Sequence, residues 1–280
     1  MTTIHLHPDA RAFLARAGEW LQRSEMENAM ALQSARFASR SDVRFPLPPY
    51  WATVEEADEI VGCAFCTPPF RLGLTALPLD AIPALVDSVR GFYRTLSGVA
   101  GPEPAVSAYA SKWIELHGGG WRVQSRQRLL AHRAIVPTTA DPPKGTLRLA
   151  TPSELPVARE WGAAFAAESG LAALDAGVCA ELCAIGQLYV WDDGGPRCML
   201  GVLRETRKGA AIGILYTPPQ LRDRGYATAA VAAFSRGLLE RGIEQSYFCL
   251  DPENPIADWV CRRLGYGPVQ DTADIDFVPV

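Results

Sequence analysis

Residues Ala210–Gly242 read AAIGILYTPPQLRDRGYATAAVAAFSRGLLERG, and the order of signals in that stretch decides the fold. Ile212, Ile214 and Tyr216 alternate with Gly213 and Leu215, the pattern of a largely buried strand. Pro218 and Pro219 end it, because neither can donate to a sheet ladder. The basic loop Arg222-Asp223-Arg224-Gly225-Tyr226-Ala227 then runs into a helical period. Ala227, Val231, Phe234 and Leu238 share one face, and Gly242 is placed to close the helix.

The first N–H groups of such a helix have no partner within it, and its dipole places partial positive charge there. Gly225 lets the backbone close on a ligand, Ala227 keeps the first turn small, and Arg222 and Arg224 add full charges. The run Arg222 to Thr228 therefore reads as an anion site for phosphate or diphosphate. The competing account is a plain strand-to-helix turn carrying two solvated arginines.

A second segment favours the site. Gln245 to Leu250 reads as the next strand, and Asn254-Pro255-Ile256-Ala257 opens a helix that ends in Leu264-Gly265-Tyr266. Arg222-x-x-Gly225-x-Ala227, entered from Leu215-Tyr216-Thr217-Pro218-Pro219, resembles the Q/R-x-x-G-x-G/A signature of the GNAT superfamily of N-acetyltransferases. The downstream segment is similar to the N-x-x-A…L-G-F/Y element of that superfamily, so the resemblance covers the last half of the chain.

The resemblance implies acetyl-CoA as acyl donor, an amine as acceptor and no metal. It implies that amides of Arg222, Asp223, Arg224, Gly225, Tyr226, Ala227 and Thr228 hold the diphosphate, with Leu215, Tyr216, Thr217 and Asn254 lining the donor site. The two strands would splay at a bulge and pair with the pantetheine arm. A backbone N–H near Leu215–Thr217 would polarise the thioester carbonyl while a neutral amine attacks. One departure stands out. Where many such enzymes carry a tyrosine to protonate the leaving thiolate, this chain has Cys261. Three roles stay open for it: acid, spectator, or mark of lost activity, with Tyr216, Tyr226, Tyr247 and Tyr266 as substitute acids. Glu168, Asp251 or a water chain would supply the base.

Glu168 enters through its helix. Thr151, Pro152 and Glu154 form a capping-box start, and Trp161, Phe165 and Glu168 then recur on one face. A carboxylate buried on that face would have a raised pKa and serve as a base. An exposed Glu at a helix end is the alternative. The order expected for this half is β-α-α-β-β-β-α-β-α-β, with Cys179 and Cys183 as packing residues.

At 280 residues the chain exceeds one ordinary domain, and 48% hydrophobic residues suffice for sizeable cores. The expected class is α/β with a mixed sheet: a GNAT-like domain over 146–280, a linker over 137–145, and a second α/β domain over 1–136. Thr67-Pro68-Pro69 echoes Thr217-Pro218-Pro219, but Leu72-Gly73-Leu74-Thr75 brings no RxxGxA. Chance and a degenerate second copy both explain the echo, and the copy is carried forward.

A net charge of −4 and a pI near 5.7 do not steer nucleic acid or anionic membranes toward the chain. No signal pattern opens it, no stretch is apolar enough to span a bilayer, and seven cysteines without secretory context read as reduced thiols in the cytoplasm. Neither GxxxxGK[ST] nor GxGxxG occurs, which disfavours a nucleotide-phosphate enzyme. His5 and His7 lack companions for a metal site. Cys63 and Cys66, three apart in a strand, would face opposite ways and could not share an ion.

Overall fold

The alternation of period-2 and period-3.6 segments yields twelve strands and eight α-helices among the described residues of the computed structural model, which covers 2–40, 42–132, 143–169 and 176–278. The chain divides into two compact units, Met1–Gln127 with Gln270–Val280, and Arg128–Val269. Most of the proline-rich stretch read as a linker lies outside the described residues.

The first unit opens with β1 (Thr2–Leu6), α1 (Ala10–Arg23), α2 (Ala29–Ala38), β2 (Tyr50–Glu56), β3 (Glu59–Cys66) and β4 (Leu72–Leu74). It continues through α3 (Ile82–Phe92), β5 (Gly98–Pro102), α4 (Glu103–His117) and β6 (Gly120–His132). Asp9 caps α1, its Oδ1 accepting from the Arg11 and Ala12 amides at 2.8 Å each. Alternation along β2 and β3 fills two cores on opposite faces of the sheet. Tyr50, Ala52, Ala64 and Cys66 join α3 and α4, while Trp51, Cys63 and Phe65 join α1 and α2. Cys63 and Cys66 are thus buried on opposite faces, and each is a free thiol.

The second unit comprises β7 (Thr146–Leu149), α5 (Leu155–Ser169), α6 (Ala176–Ala184), β8 (Leu188–Asp192), β9 (Pro196–Glu205) and β10 (Gly209–Tyr216). It is followed by α7 (Tyr226–Glu240), β11 (Gln245–Leu250) and α8 (Pro255–Arg263), and the chain then runs into β12 (Gly267–Val278), which belongs to the first unit from Gln270 on. This is the expected order, and the first half of the chain repeats it element for element.

Strand pairing repeats as well. In the first unit β1, β2, β3 and β4 are antiparallel neighbours, β4 runs parallel to β5, and β5 pairs antiparallel with a final strand. In the second unit β7 to β11 repeat those polarities. The final strands are exchanged. Thr272–Asp276 of β12 pairs with β5, and Arg128–His132 of β6 pairs with β11. The boundary expected at 136–146 therefore needs correction: residues 128–132 pack with the second unit and 270–278 with the first. Proline content marks a break in the chain, but pairing decides which residues pack together.

The capping box at α5 forms as read. Glu154 Oε2 accepts from the Thr151 amide at 2.8 Å, and Arg148 grips both Glu154 oxygens at 2.7 and 2.9 Å while reaching Asp192 at 2.8 Å. The Arg148 hydrogen bonds hold the Glu154 carboxyl down to about 2, against an ordinary 4.5. A depressed folded-state pKa gives stability that is present above 4.5 and is lost as pH falls toward 2. We expect the second unit to lose stability over that window and Glu154→Gln to flatten the loss. Urea unfolding at pH 6 and pH 3 checks this, and parallel profiles for the two proteins would refute it.

Candidate functional site: a cleft between two splayed strands

β10 and β11 hydrogen-bond only over their first halves, from Gly209 opposite Gln245 to Ile212 opposite Phe248. Beyond that point β10 changes register against β9. Ala211 faces Arg204, Ile212 faces Val202 and Ile214 faces Gly201, so Leu203 and Gly213 are each left over. A methyl group on Gly213 would overlap the Leu203 side chain, which is why glycine stands there. The bulge corrects the simple alternation read from the sequence. Ile212 packs with α7 and α8, whereas Ile214 and Tyr216 pack with α5 and α6 on the other face.

Past the bulge the two strands separate around a cavity of about 550 Å³. Gly213, Leu215, Tyr216 and Thr217 line it from β10, and Phe248, Cys249, Leu250 and Asp251 from β11. Phe165 and Glu168 of α5, Asn254, and Cys261 of α8 complete the walls, and the cavity reaches Arg222 and Ala227 in the loop. The first unit is tighter between the corresponding strands, although a cavity of about 650 Å³ lies against them, lined by Gly73 of β4 and Ala100 of β5. There β5 lies so near the end of β4 that a methyl on Gly101 would overlap the Leu74 carbonyl.

The loop has the predicted form. Gly225 precedes α7 with φ 79°, in the left-handed region, and Asp223 also has positive φ at 61°. The Ala229 amide makes the first helical bond to the Gly225 carbonyl at 2.9 Å, and among the described residues no side chain caps the preceding amides. At the other end Gly242 takes φ 75°, with the Ile243 amide bonded to the Leu238 carbonyl and the Gly242 amide to that of Leu239, both at 2.9 Å.

Individual side chains divide sharply. Arg222 does not point along the loop: its Nη2 binds Glu168 at 2.6 and 2.9 Å, its Nε binds the Thr217 carbonyl at 2.9 Å, and its guanidinium lies over the Tyr216 ring. The Glu168 side chain is 48% exposed and ion-paired, so burial does not prepare it as a base. Arg224 reaches the Gln220 carbonyl at 3.3 Å. Tyr226 is buried, its hydroxyl donating to Asp193 at 3.1 Å. Asn254 starts α8, its carbonyl accepting from the Asp258 amide at 3.2 Å. Thr228 does not line the cavity.

Cys261 lines the cavity yet is 3% exposed, and burial pushes its thiol up to about 12. Coenzyme A thiolate, near the ordinary thiol value of about 8.5, would take a proton from it only uphill. Of the four tyrosines weighed as substitutes, Tyr216 alone lines the cavity. Its phenol, too, is raised, mainly by desolvation. Tyr266 is buried against Ser246, and Tyr247 binds its neighbour Gln245. Asp251 is the second carboxylate on the wall. The resemblance implies a bulge between these strands but not its position at Gly213, for which a glycine inside a strand pattern was the signal.

Among the described residues no cluster of His, Cys, Asp or Glu could hold a metal ion, and no helix is long and apolar enough to cross a membrane.

A helix entered through a left-handed glycine, beside two parallel strands forced apart by a bulge, belongs to the fold of the GCN5-related N-acetyltransferases, and this chain has that fold. The GCN5-related N-acetyltransferase from Sphaerobacter thermophilus is similar at TM-score 0.55 and 17% identity, over 100% of this chain and 96% of its own. An acetyltransferase of the GNAT family from Colwellia psychrerythraea is similar at 0.52 and 12%, over 99% and 100%. A Drosophila protein of unstated activity is similar at 0.60 and 11%, over 98% of both chains. No family model matches the chain, and no curated protein matches it.

Proposed function

We propose that the second unit binds acetyl-CoA and transfers its acetyl group to the amine of a small-molecule acceptor by direct attack on the thioester. One observation carries the reading. Among the described residues, the opening between the parallel strands β10 and β11 ends at the start of α7, where no side chain caps the first amides. Such a cleft offers main-chain groups to the pantetheine arm along its edges and main-chain donors to a diphosphate at its end. On this reading amides of Leu215–Thr217, which line the cavity, would take the charge that develops on the thioester oxygen. Tyr216 and Cys261 both line the cavity, and the buried, high-pKa Cys261 we assign as a packing residue. Asp251 is the carboxylate on the wall for accepting the amine proton, directly or through water.

The cytoplasm suits this reading, since acetyl-CoA and reduced thiols coexist there. Composition and acidic charge support neither nucleic acid nor membrane as partner.

Acetyl-CoA at about a hundred times its Kd should stabilise the protein by about 2.7 kcal/mol, raising the melting temperature by several degrees. No shift at millimolar ligand removes the reading. Thiol release followed across a panel of amines tests turnover. The buried, high-pKa Cys261 favours a second reading, an acyl-CoA-binding module without catalysis, and binding with no amine-dependent thiol release would select it.

A further inference from the structure

Arg222 has two claimants. It stands at the head of the loop that receives the diphosphate in the reading above, yet its guanidinium is held by the Glu168 carboxylate through bonds of 2.6 and 2.9 Å. The Tyr216 hydroxyl lies 3.4 Å from the same carboxylate, and the Tyr216 ring sits beneath the guanidinium at 5.7 Å. All three side chains line the cavity. A planar guanidinium has one set of donors, and a carboxylate and a diphosphate match it in the same forked geometry.

We infer that Glu168 is an internal rival of the donor: it holds Arg222, and an incoming diphosphate displaces it. Glu168 is then a positioning residue that acts through Arg222. The inference rests on the acyl-CoA reading and adds an order of events to it. Once the diphosphate takes Arg222, the Glu168 carboxylate loses its partner inside the cavity and becomes a counter-charge for a protonated amine. The donor thereby prepares the site for the acceptor, and by linkage a cationic acceptor strengthens donor binding.

The pair is half-exposed, with side chains 42% and 48% accessible, so its hold is modest. Exposed pairs contribute about 0.2–1 kcal/mol, which corresponds to a change of about 1.4- to fivefold in an equilibrium constant.

Calorimetric titration of the full chain with CoA, and separately with pantetheine, which lacks the diphosphate, tests the inference. Glu168→Gln should bind CoA tighter by about 1.4- to fivefold and leave pantetheine binding unchanged, and Glu168→Asp should restore wild-type affinity. Arg222→Ala should weaken CoA and abolish the gain from Glu168→Gln in the double variant. Unchanged or weaker CoA binding in Glu168→Gln, or equal tightening toward both ligands, overturns the inference while leaving the acyl-CoA reading in place. Failure of the wild-type protein to bind CoA removes that reading and the inference with it.

Discussion

A chain ended at Val269 should lose cooperative folding of its first unit while, on the acyl-CoA reading, its second unit keeps its response to CoA. Residues Gln270–Val280 belong to the first unit, where Ile275 is fully buried among Tyr109, Trp113 and Val99 and five consecutive residues pair with β5. Removing a buried isoleucine alone costs about 2–5 kcal/mol, and a whole domain is stable by only about 5–15 kcal/mol. The truncation also strips the hydrogen bonds from one edge of β5 and deletes Asp276, the partner of Arg71. Hydrogen exchange should show β4 and β5 amides unprotected, and melting should show a single transition from the second unit. A residues 1–136 fragment should fail in the same way. Gly98→Val is the subtler version, because any side chain at Gly98 overlaps the Ile275 carbonyl and pushes β12 away. Undiminished protection of β5 in the truncated chain would show that the exchanged strand is dispensable.

Gly225→Val is expected to abolish most CoA binding at a moderate cost in folding. A φ of 79° is closed to a β-branched residue, so the loop must rebuild before α7, at a cost of about 1–3 kcal/mol. Each charge-assisted hydrogen bond to the diphosphate is worth about 1.5–3 kcal/mol, so misplacing even one amide weakens CoA by about tenfold or more. Gly225→Ala separates strain from crowding, since an added methyl meets nothing nearer than Pro143 at 3.5 Å. It should fall between wild type and valine. Calorimetry with CoA and melting without ligand read the two effects separately. Loss of folding in proportion to binding would make Gly225 structural only.

Much of the second unit was legible because its signals are local. Pro218 and Pro219 stop β10, Gly242 ends α7, and the Thr151–Glu154 box starts the segment leading to α5, each a matter of a few neighbouring residues. Three features were not legible, and all are non-local. The Gly213 bulge depends on Leu203 in the neighbouring strand, and it reverses the faces that period-2 counting assigns to Ile214 and Tyr216. The partner of β12 is set by which sheet edge is open. The Arg222–Glu168 pair joins residues 54 positions apart, so neither side chain announces the other. Cys261 lines the cavity, and its role stays open in the sequence. Burial raises its pKa, and a sequence does not display burial residue by residue.

The exchanged final strands also govern the order in which the protein can mature on the ribosome. The first unit emerges with its β5 edge uncovered and waits for residues near Ile275 until the entire second unit has been translated, a delay on the order of ten seconds at ordinary synthesis rates. During that interval the exposed edge is open to any stray strand, including its like on a neighbouring nascent chain.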